Sequence, residues 1–305
     1  MKDAAAAGVN RGRLHRSDLD RPFHGVRTLA REDHPDAPDT FAKQRIERRM
    51  RALDYAPRLG RQHVYSHETA IALFGGPLPL VREDGGPVDG GTLPVHVSTL
   101  GKGPLVRTAG VVGHRIAADT PCLQTGTVTA VHPSIAWAQL GSLDLLDIVA
   151  IGDYLCRVRR PGVGRTHVGR MPWTTIDGLR AVLAGGRRVG IGRLREAAEL
   201  IREDSWSPRE SMLRCRIVLA GLPEPLLNPD VFDQHGRFLG CVDMAYPHLK
   251  IAIEYQGRLH HASYATDVER IAALRAAGWT VIEVADALYS RPAELIARIR
   301  DALRV

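Results

Sequence analysis

Two acidic residues set into otherwise apolar strand sequence, Asp243 and Glu254, carry the clearest chemical signal in this 305-residue chain. Val242 and Met244 flank Asp243, while Ile251, Ile253 and Tyr255 alternate with Ala252, Glu254 and Gln256. At a strand period of two, Asp243 lies on one face of its strand, and Ala252, Glu254 and Gln256 share one face of the next. Tyr246-Pro247-His248 interrupts the run, so the two strands are expected to form a hairpin. With the turn centred on Pro247 and His248, Asp243 falls opposite Ala252, and Glu254 lies one diagonal step further, about 7–8 Å away between backbones. Two carboxylates so placed can share one hard cation such as Mg2+ or Mn2+. A cation there stabilises charge on a phosphoryl group and its leaving oxygen and lowers the pKa of a bound water. That is the chemistry of phosphodiester hydrolysis.

Asp243, a gap of ten residues, then Glu254-Tyr255-Gln256-Gly257 and His260 together resemble the motif of the PD-(D/E)xK nucleases. The likeness is closest to their Vsr-like branch, whose signature is a strand aspartate followed by Glu-x-Asp-Gly-x-x-His. It runs from about Ser207 to the C-terminus, through Ser207-Pro208-Arg209-Glu210-Ser211, Gly221-Leu222-Pro223 and Gly278-Trp279. The resemblance implies a restriction-endonuclease-like domain in which a helix, antiparallel strands, a helix, a strand and a last helix follow in order. It implies catalytic positions at Glu210, Asp243, Glu254, Gln256 and His260, with Asp243, Glu254 and Tyr255 at the metal. Ser207 and Glu210 also match a capping box with Pro208 at the first helical position, so Glu210 has two readings, cap and metal site. Gln256 stands where the family has lysine and where the Vsr-like pattern often has aspartate. Its amide can orient a water or offer an oxygen, but it brings no positive charge. Lys250 shares that strand face about 13 Å from Glu254, too far to substitute. His260 would position or protonate the phosphate or leaving group. Arg258, Arg270 and Arg275 are candidate phosphate contacts.

The elements that must hold these residues are legible in outline. A helix is expected over Asp39–Leu53 from the spacing of Phe41, Ile46, Met50 and Leu53, and another after Ser66. Val95–Val97 and Val111–Ile116 read as strands, and Ser134–Leu140 and Asp144–Leu155 as helices. A helix from Ser207 to Ala220 opens the C-terminal part. Strands over Asn228–Asp233, Phe238–Ala245, Lys250–Gln256 and Trp279–Val284, and a last helix over Pro292–Leu303, complete it. The expected division is a poorly ordered or partly helical segment over 1–60, a mixed α+β region over 61–196, and the nuclease-like domain over 197–305. The middle region, through Tyr65–Ala70, Pro77-Leu78-Pro79, Val95-His96-Val97 and Asp147 to Asp153, resembles AbiEi-like antitoxin and regulator proteins. Leu14–Arg27 resembles the end of the wing with which such proteins begin.

Apolar residues make up 44% and charged residues 25%, ordinary for a globular protein, and no signal-peptide pattern or long apolar run is present, so a cytoplasmic protein is expected. The four cysteines lack Cys-x-x-Cys spacing, so neither a zinc site nor a disulfide framework is expected. The net charge of +7 is unevenly placed: residues 157–195 hold ten arginines against Asp177 alone. Such a surplus suits a phosphate-rich partner. Arg157, Arg159 and Arg160, Arg187 and Arg188, and Arg258 are therefore the candidate DNA contacts. Two functions follow from the sequence. One is a metal-dependent DNA endonuclease; the other is a DNA-binding or antitoxin-like regulator whose nuclease fold has lost catalysis, with a toxin or other protein as partner.

Overall fold

The computed structural model describes residues 4, 6–30, 37, 39–163, 165–256 and 264–304. It is a mixed α/β protein with several small sheets, none closed into a barrel among the described residues. The chain folds as two units: 1–142 with 181–191, and 143–180 with 192–305. No helix among the described residues is long and apolar enough to cross a membrane.

In the first unit, α1 (Thr40–Tyr55) begins where the carboxylate of Asp39 accepts the amide of Ala42 at 2.7 Å, satisfying one of the free donors of a helix start. Gln44 is buried on this helix and survives burial because its amide is matched on both sides. Its nitrogen donates to the carbonyls of Val81 and Val88, and its oxygen accepts from the Val81 amide. A five-stranded sheet follows from β1 (His63–Tyr65), β2 (Val95–Leu100), β3 (Val111–Ile116), β4 (Cys122–Thr125) and β5 (Val128–Val131), in the spatial order β3-β2-β1-β5-β4. β2 runs antiparallel to β1 and parallel to β3. Between β1 and β2, α2 (His67–Leu73) is buried along most of its length, and α3 (Pro133–Ala138) follows β5. The fully buried Tyr65, Ile71, Val97 and Trp137 contribute on the order of 1.5–3 kcal/mol each by leaving water. Ser66 is the N-cap of α2 as its sequence suggests, yet its hydroxyl makes no capping bond and instead meets Nδ1 of His67 at 3.0 Å.

In the second unit, α4 (Leu145–Cys156) packs against α7 (Pro208–Leu219). Between them in sequence, α5 (Ile176–Ala184) runs across the division of the chain and α6 (Ile191–Leu200) follows. The fully buried Asp153 of α4 faces the equally buried Arg214 of α7 at 3.4 Å. Arg214 is also held by the Leu200 carbonyl and by Glu224. This differs from the expected boundary near residue 197, since 143–180 belongs with the C-terminal chain. The change in charge balance that suggests that boundary reports surface composition, whereas the buried face of α4, with Ile148, Ile151 and Leu155, decides what packs together.

The second unit's sheet holds β6 (Leu226–Leu227), β9 (Met244–Tyr246), β10 (Ile251–Gln256) and β11 (Thr280–Ala285) in that order, antiparallel except for the parallel pair β10 and β11. A separate ribbon joins β7 (Asp230–Phe232) to β8 (Phe238–Cys241). One face of the sheet, with Met244, Tyr246, Ile251 and Ile253, packs with Leu213 and Ile217 of α7 and with Leu295 and Ile299 of α10 (Pro292–Leu303). Ala245 and Ala252 of the other face cluster with Leu274 of α8 (Tyr264–Ala276). α9 (Asp286–Tyr289) links β11 to α10.

Candidate active site

The expected strand Phe238–Ala245 is broken at Val242–Asp243. Its first half pairs in the ribbon and its second half in the main sheet. The break explains why Val242 and Met244 do not behave as alternating neighbours of Asp243: Val242 belongs to the cluster around Leu274, and Met244 to that around Leu213. Asn228 holds the seam. Its backbone is left-handed, with φ 47°, its amide donates to the Asp243 carbonyl at 2.9 Å, and its own carbonyl accepts from Cys241 Sγ and Arg165. Asparagine tolerates that conformation better than most residues.

The register of the hairpin also differs from expectation. Pro247–Leu249 forms a 3-10 turn and Lys250 adopts φ 50°, which moves the centre of the turn one residue onward. Ala245 therefore stands opposite Ala252, and Met244 opposite Ile253. Continued by one residue, this pairing brings Asp243 level with Glu254 instead of a diagonal step away. A shift of two positions preserves the face of every side chain, so the carboxylates draw together without changing sides. Oδ2 of Asp243 accepts the amide of Tyr255 at 2.7 Å, which ties the aspartate to the strand that carries Glu254.

Glu210 approaches from α7. Ser207 Oγ accepts the Glu210 amide at 3.2 Å, and Glu210 Oε2 reaches back to the amide of Trp206, one residue before the cap. The same oxygen accepts Asn228 Nδ2 at 2.9 Å, so Glu210 both closes the helix start and faces the seam beside Asp243. The capping reading of Glu210 thus holds, with its carboxylate shared between the helix start and Asn228. Glu254 is buried and held by Arg270 of α8, through Nη1 to Oε1 at 2.5 Å and Nη2 to Oε2 at 3.4 Å. Arg270 also reaches Asp267 and the Cys241 carbonyl.

Three buried carboxyls near one another cannot all ionise cheaply. Burial pushes Asp243 well above the usual carboxylate range, and the neighbouring Glu210 and Glu254 push it further. Glu210 is raised by burial against the hydrogen bonds from Asn228 and Trp206. Burial raises Glu254 as well, against the opposing pull of Arg270. Among the described residues no set of three acidic ligand atoms here lies within 4.8 Å of one another. Arg270 supplies the positive charge that faces Glu254.

Tyr255 turns to the opposite face, where its ring meets that of Tyr289 and its hydroxyl donates to Asp286 at 2.5 Å. Gln256 ends β10 on the same face as Glu254, half-buried and paired in register with Ala285. His260, His261 and Arg258 lie outside the described residues. Lys250 is turned away, donating to the Ala277 carbonyl.

The arginine-rich segment is divided between the two units. Arg157, Arg159 and Arg160 belong to the second unit, and Arg187 and Arg188 to the first. Arg160 pairs with Asp204 at 2.7 Å and approaches Glu203, Arg165 pairs with Asp230 at 2.7 Å, and Arg180 pairs with Glu199. These acids stand beyond residue 195, so the local charge count overstates the unpaired surplus. Arg157 lies over the ring of Trp206 and donates to its carbonyl, and Arg165 lies over the same ring. Arg159 is half-buried, Arg187 is exposed and Arg188 donates to the Val182 carbonyl. Asn228, Trp206 and Arg165 are the supporting residues that sequence reasoning misses. Only the left-handed tolerance of Asn228, before Pro229, draws attention to any of them.

No family model matches the chain, and no solved structure matches it. Two Mycobacterium tuberculosis proteins are similar to part of it: Uncharacterized protein MT2308 (strain CDC 1551 / Oshkosh) and Uncharacterized protein Rv2248 (strain ATCC 25618 / H37Rv). Each is 36% identical over 118 residues, which is 37% of this chain and 43% of the relative. The chain thus spans less than half the length of the curated relatives it matches.

Proposed function

We propose that the second unit is a metal-dependent DNA endonuclease domain of the PD-(D/E)xK type, Vsr-like and restriction-endonuclease-like in fold. The observation that carries this reading is the bond that ties Asp243 Oδ2 to the Tyr255 amide of the strand bearing Glu254, with Glu210 and Glu254 both pressing on the Asp243 carboxyl. Asp243 and Glu254, with the main-chain carbonyl of Tyr255, are the groups that would hold Mg2+ or Mn2+. They fit a hard cation: both side chains are carboxylates, and Asp243 Oδ1 is clear of any donor among the described residues. When bound, such an ion supplies charge stabilisation to the phosphoryl group and acidifies a coordinated water. The chain's own residues supply the frame. Asn228 fixes the root of Asp243, Tyr255 orients its carboxylate, and Glu210 is held against Asn228. Gln256 orients water through its amide, and Arg270 is a positive group in contact with Glu254 where the family's lysine is missing.

A specific observation favours the second reading, a catalytically silent DNA-binding or antitoxin-like regulator: Arg270 already occupies both oxygens of Glu254. The readings separate in one experiment. Purified protein incubated with supercoiled plasmid and Mg2+ or Mn2+ nicks it under the nuclease reading, and Asp243→Asn does not. Salt-sensitive DNA binding with no cleavage in any divalent ion establishes the regulator instead.

A further inference from the structure

We propose that His67, His96 and His114 form a binding site in the first unit for a zinc-class divalent transition-metal ion, with Glu68 orienting His96 from outside. The three residues come from different elements. His67 is the first residue of α2, His96 lies on β2, and His114 lies on the neighbouring parallel strand β3. One ring nitrogen of each lies within 4.8 Å of the others, and among the described residues this is the one group of three metal-ligating side chains so gathered. All three are half-buried, shielded yet reachable from solvent.

The hydrogen bonds assign the ligand atoms. His96 Nδ1 faces His114 Nε2 at 2.9 Å, while His96 Nε2 faces Glu68 Oε2 at 3.5 Å. That Glu68 oxygen is buried and has no hydrogen-bond partner among the described residues. A carboxylate behind the far nitrogen of an imidazole is the arrangement that fixes tautomer and ring direction in histidine metal sites. On the third ring, Nδ1 of His67 meets Ser66 Oγ at 3.0 Å, which leaves Nε2 for an ion. Burial lowers all three imidazoles, His67 to about 3; the neighbouring rings add to this at His67 and His114, and Arg48 adds to it at His96.

The backbone shows the cost of this gathering. His67 has φ 51°, a left-handed conformation that a non-glycine residue rarely adopts, and its amide is held there by Gln139 Oε1 at 3.0 Å. Strain of this kind gathers where function holds it in place. Imidazole nitrogens select zinc, copper or nickel over Mg2+, so this site is chemically separate from the carboxylates of the second unit. Three histidines leave a fourth tetrahedral position for water or an anion.

The test is metal binding by the full chain after dialysis against chelator. Calorimetric titration with Zn2+ is expected to give one tight equivalent that excess Mg2+ leaves in place, and Co2+ is expected to give the visible absorption of a tetrahedral nitrogen site. His114→Gln is expected to weaken Zn2+ binding by more than about tenfold, and Glu68→Gln by about 10–100-fold, the range for loss of an orienting partner. Circular dichroism reports whether each variant is folded. Absence of Zn2+ uptake by the wild type, or equal affinity in the wild type and both folded variants, overturns the site. If His114→Gln fails to fold, the Co2+ spectrum and Glu68→Gln still decide.

Discussion

Arg270 crosses directly over Gly240 to reach both oxygens of Glu254. A Cβ at Gly240 would lie 2.7 Å from Arg270 Cδ, so the glycine keeps the path open. Breaking such a pair leaves a buried carboxylate without its counter-charge, which costs about 3–5 kcal/mol, with partial exposure of Arg270 placing it at the low end. Arg270→Met is therefore expected to lower the urea midpoint of unfolding. Under the nuclease reading it also tightens Mg2+ binding measured by calorimetry, since the ion no longer competes with the guanidinium.

Asp243 is expected to oppose stability while serving chemistry. Its carboxyl is raised by burial and by two acidic neighbours, so a neutral amide there removes a repulsion. Asp243→Asn retains an oxygen for the Tyr255 amide and is expected to raise the melting temperature at neutral pH while abolishing metal-dependent nicking. Asp243→Ala removes that acceptor as well. It is expected to be less stable than the asparagine variant by about 1–3 kcal/mol, the cost of a buried amide without a partner.

The fully buried pair of Asp153 and Arg214 makes a claim about which fragment folds. A fragment starting at residue 197 strands Arg214 without Asp153 and exposes the face of α7 that α4 covers. Losing the pair alone costs about 3–5 kcal/mol, comparable with the whole stability of many domains. The fragment 143–305 is expected to unfold cooperatively by circular dichroism, and 197–305 is expected to lack a cooperative transition.

Burial and the neighbouring Asp144 push the Asp147 carboxyl up to about 6. The folded chain thus holds this proton more tightly than the unfolded chain, where aspartate titrates near about 3.9. Its stabilising contribution is complete below about pH 4 and is lost as pH rises through about 6. Asp153, also raised to about 6 by burial, moves in the same direction. Asp147→Asn is expected to reduce the fall in melting temperature between about pH 4 and 7, with the fall that remains shared by the other raised carboxyls, Asp153, Glu210, Asp243 and Glu254.

Much of the second unit is legible in the sequence because period-two alternation and capping signals are local. The face shared by Ala252 and Glu254, the cap at Ser207 and the last helix all follow from neighbours in sequence. The break at Asp243 is not, because it depends on Asn228, fifteen residues earlier, donating to the Asp243 carbonyl. The hairpin register differs by two from the one the turn residues suggest, because Lys250 takes a left-handed conformation that no local rule requires of lysine. The histidine group is hidden for the same reason: His67, His96 and His114 meet only through the pairing of β2 with β3 and the fold of α2. Charge counting fails most simply, because the acids that answer Arg160, Arg165 and Arg180 lie outside the counted window.

The ribbon of β7 and β8 pairs with no other strand among the described residues, and Asp233 pins its tip through His235 and Arg237. Doubling the loop at that tip costs only about 0.6 kcal/mol. Evolution can therefore lengthen or reshape this finger to suit a new binding partner while the aspartate at its root stays anchored, so reach and chemistry are free to change independently.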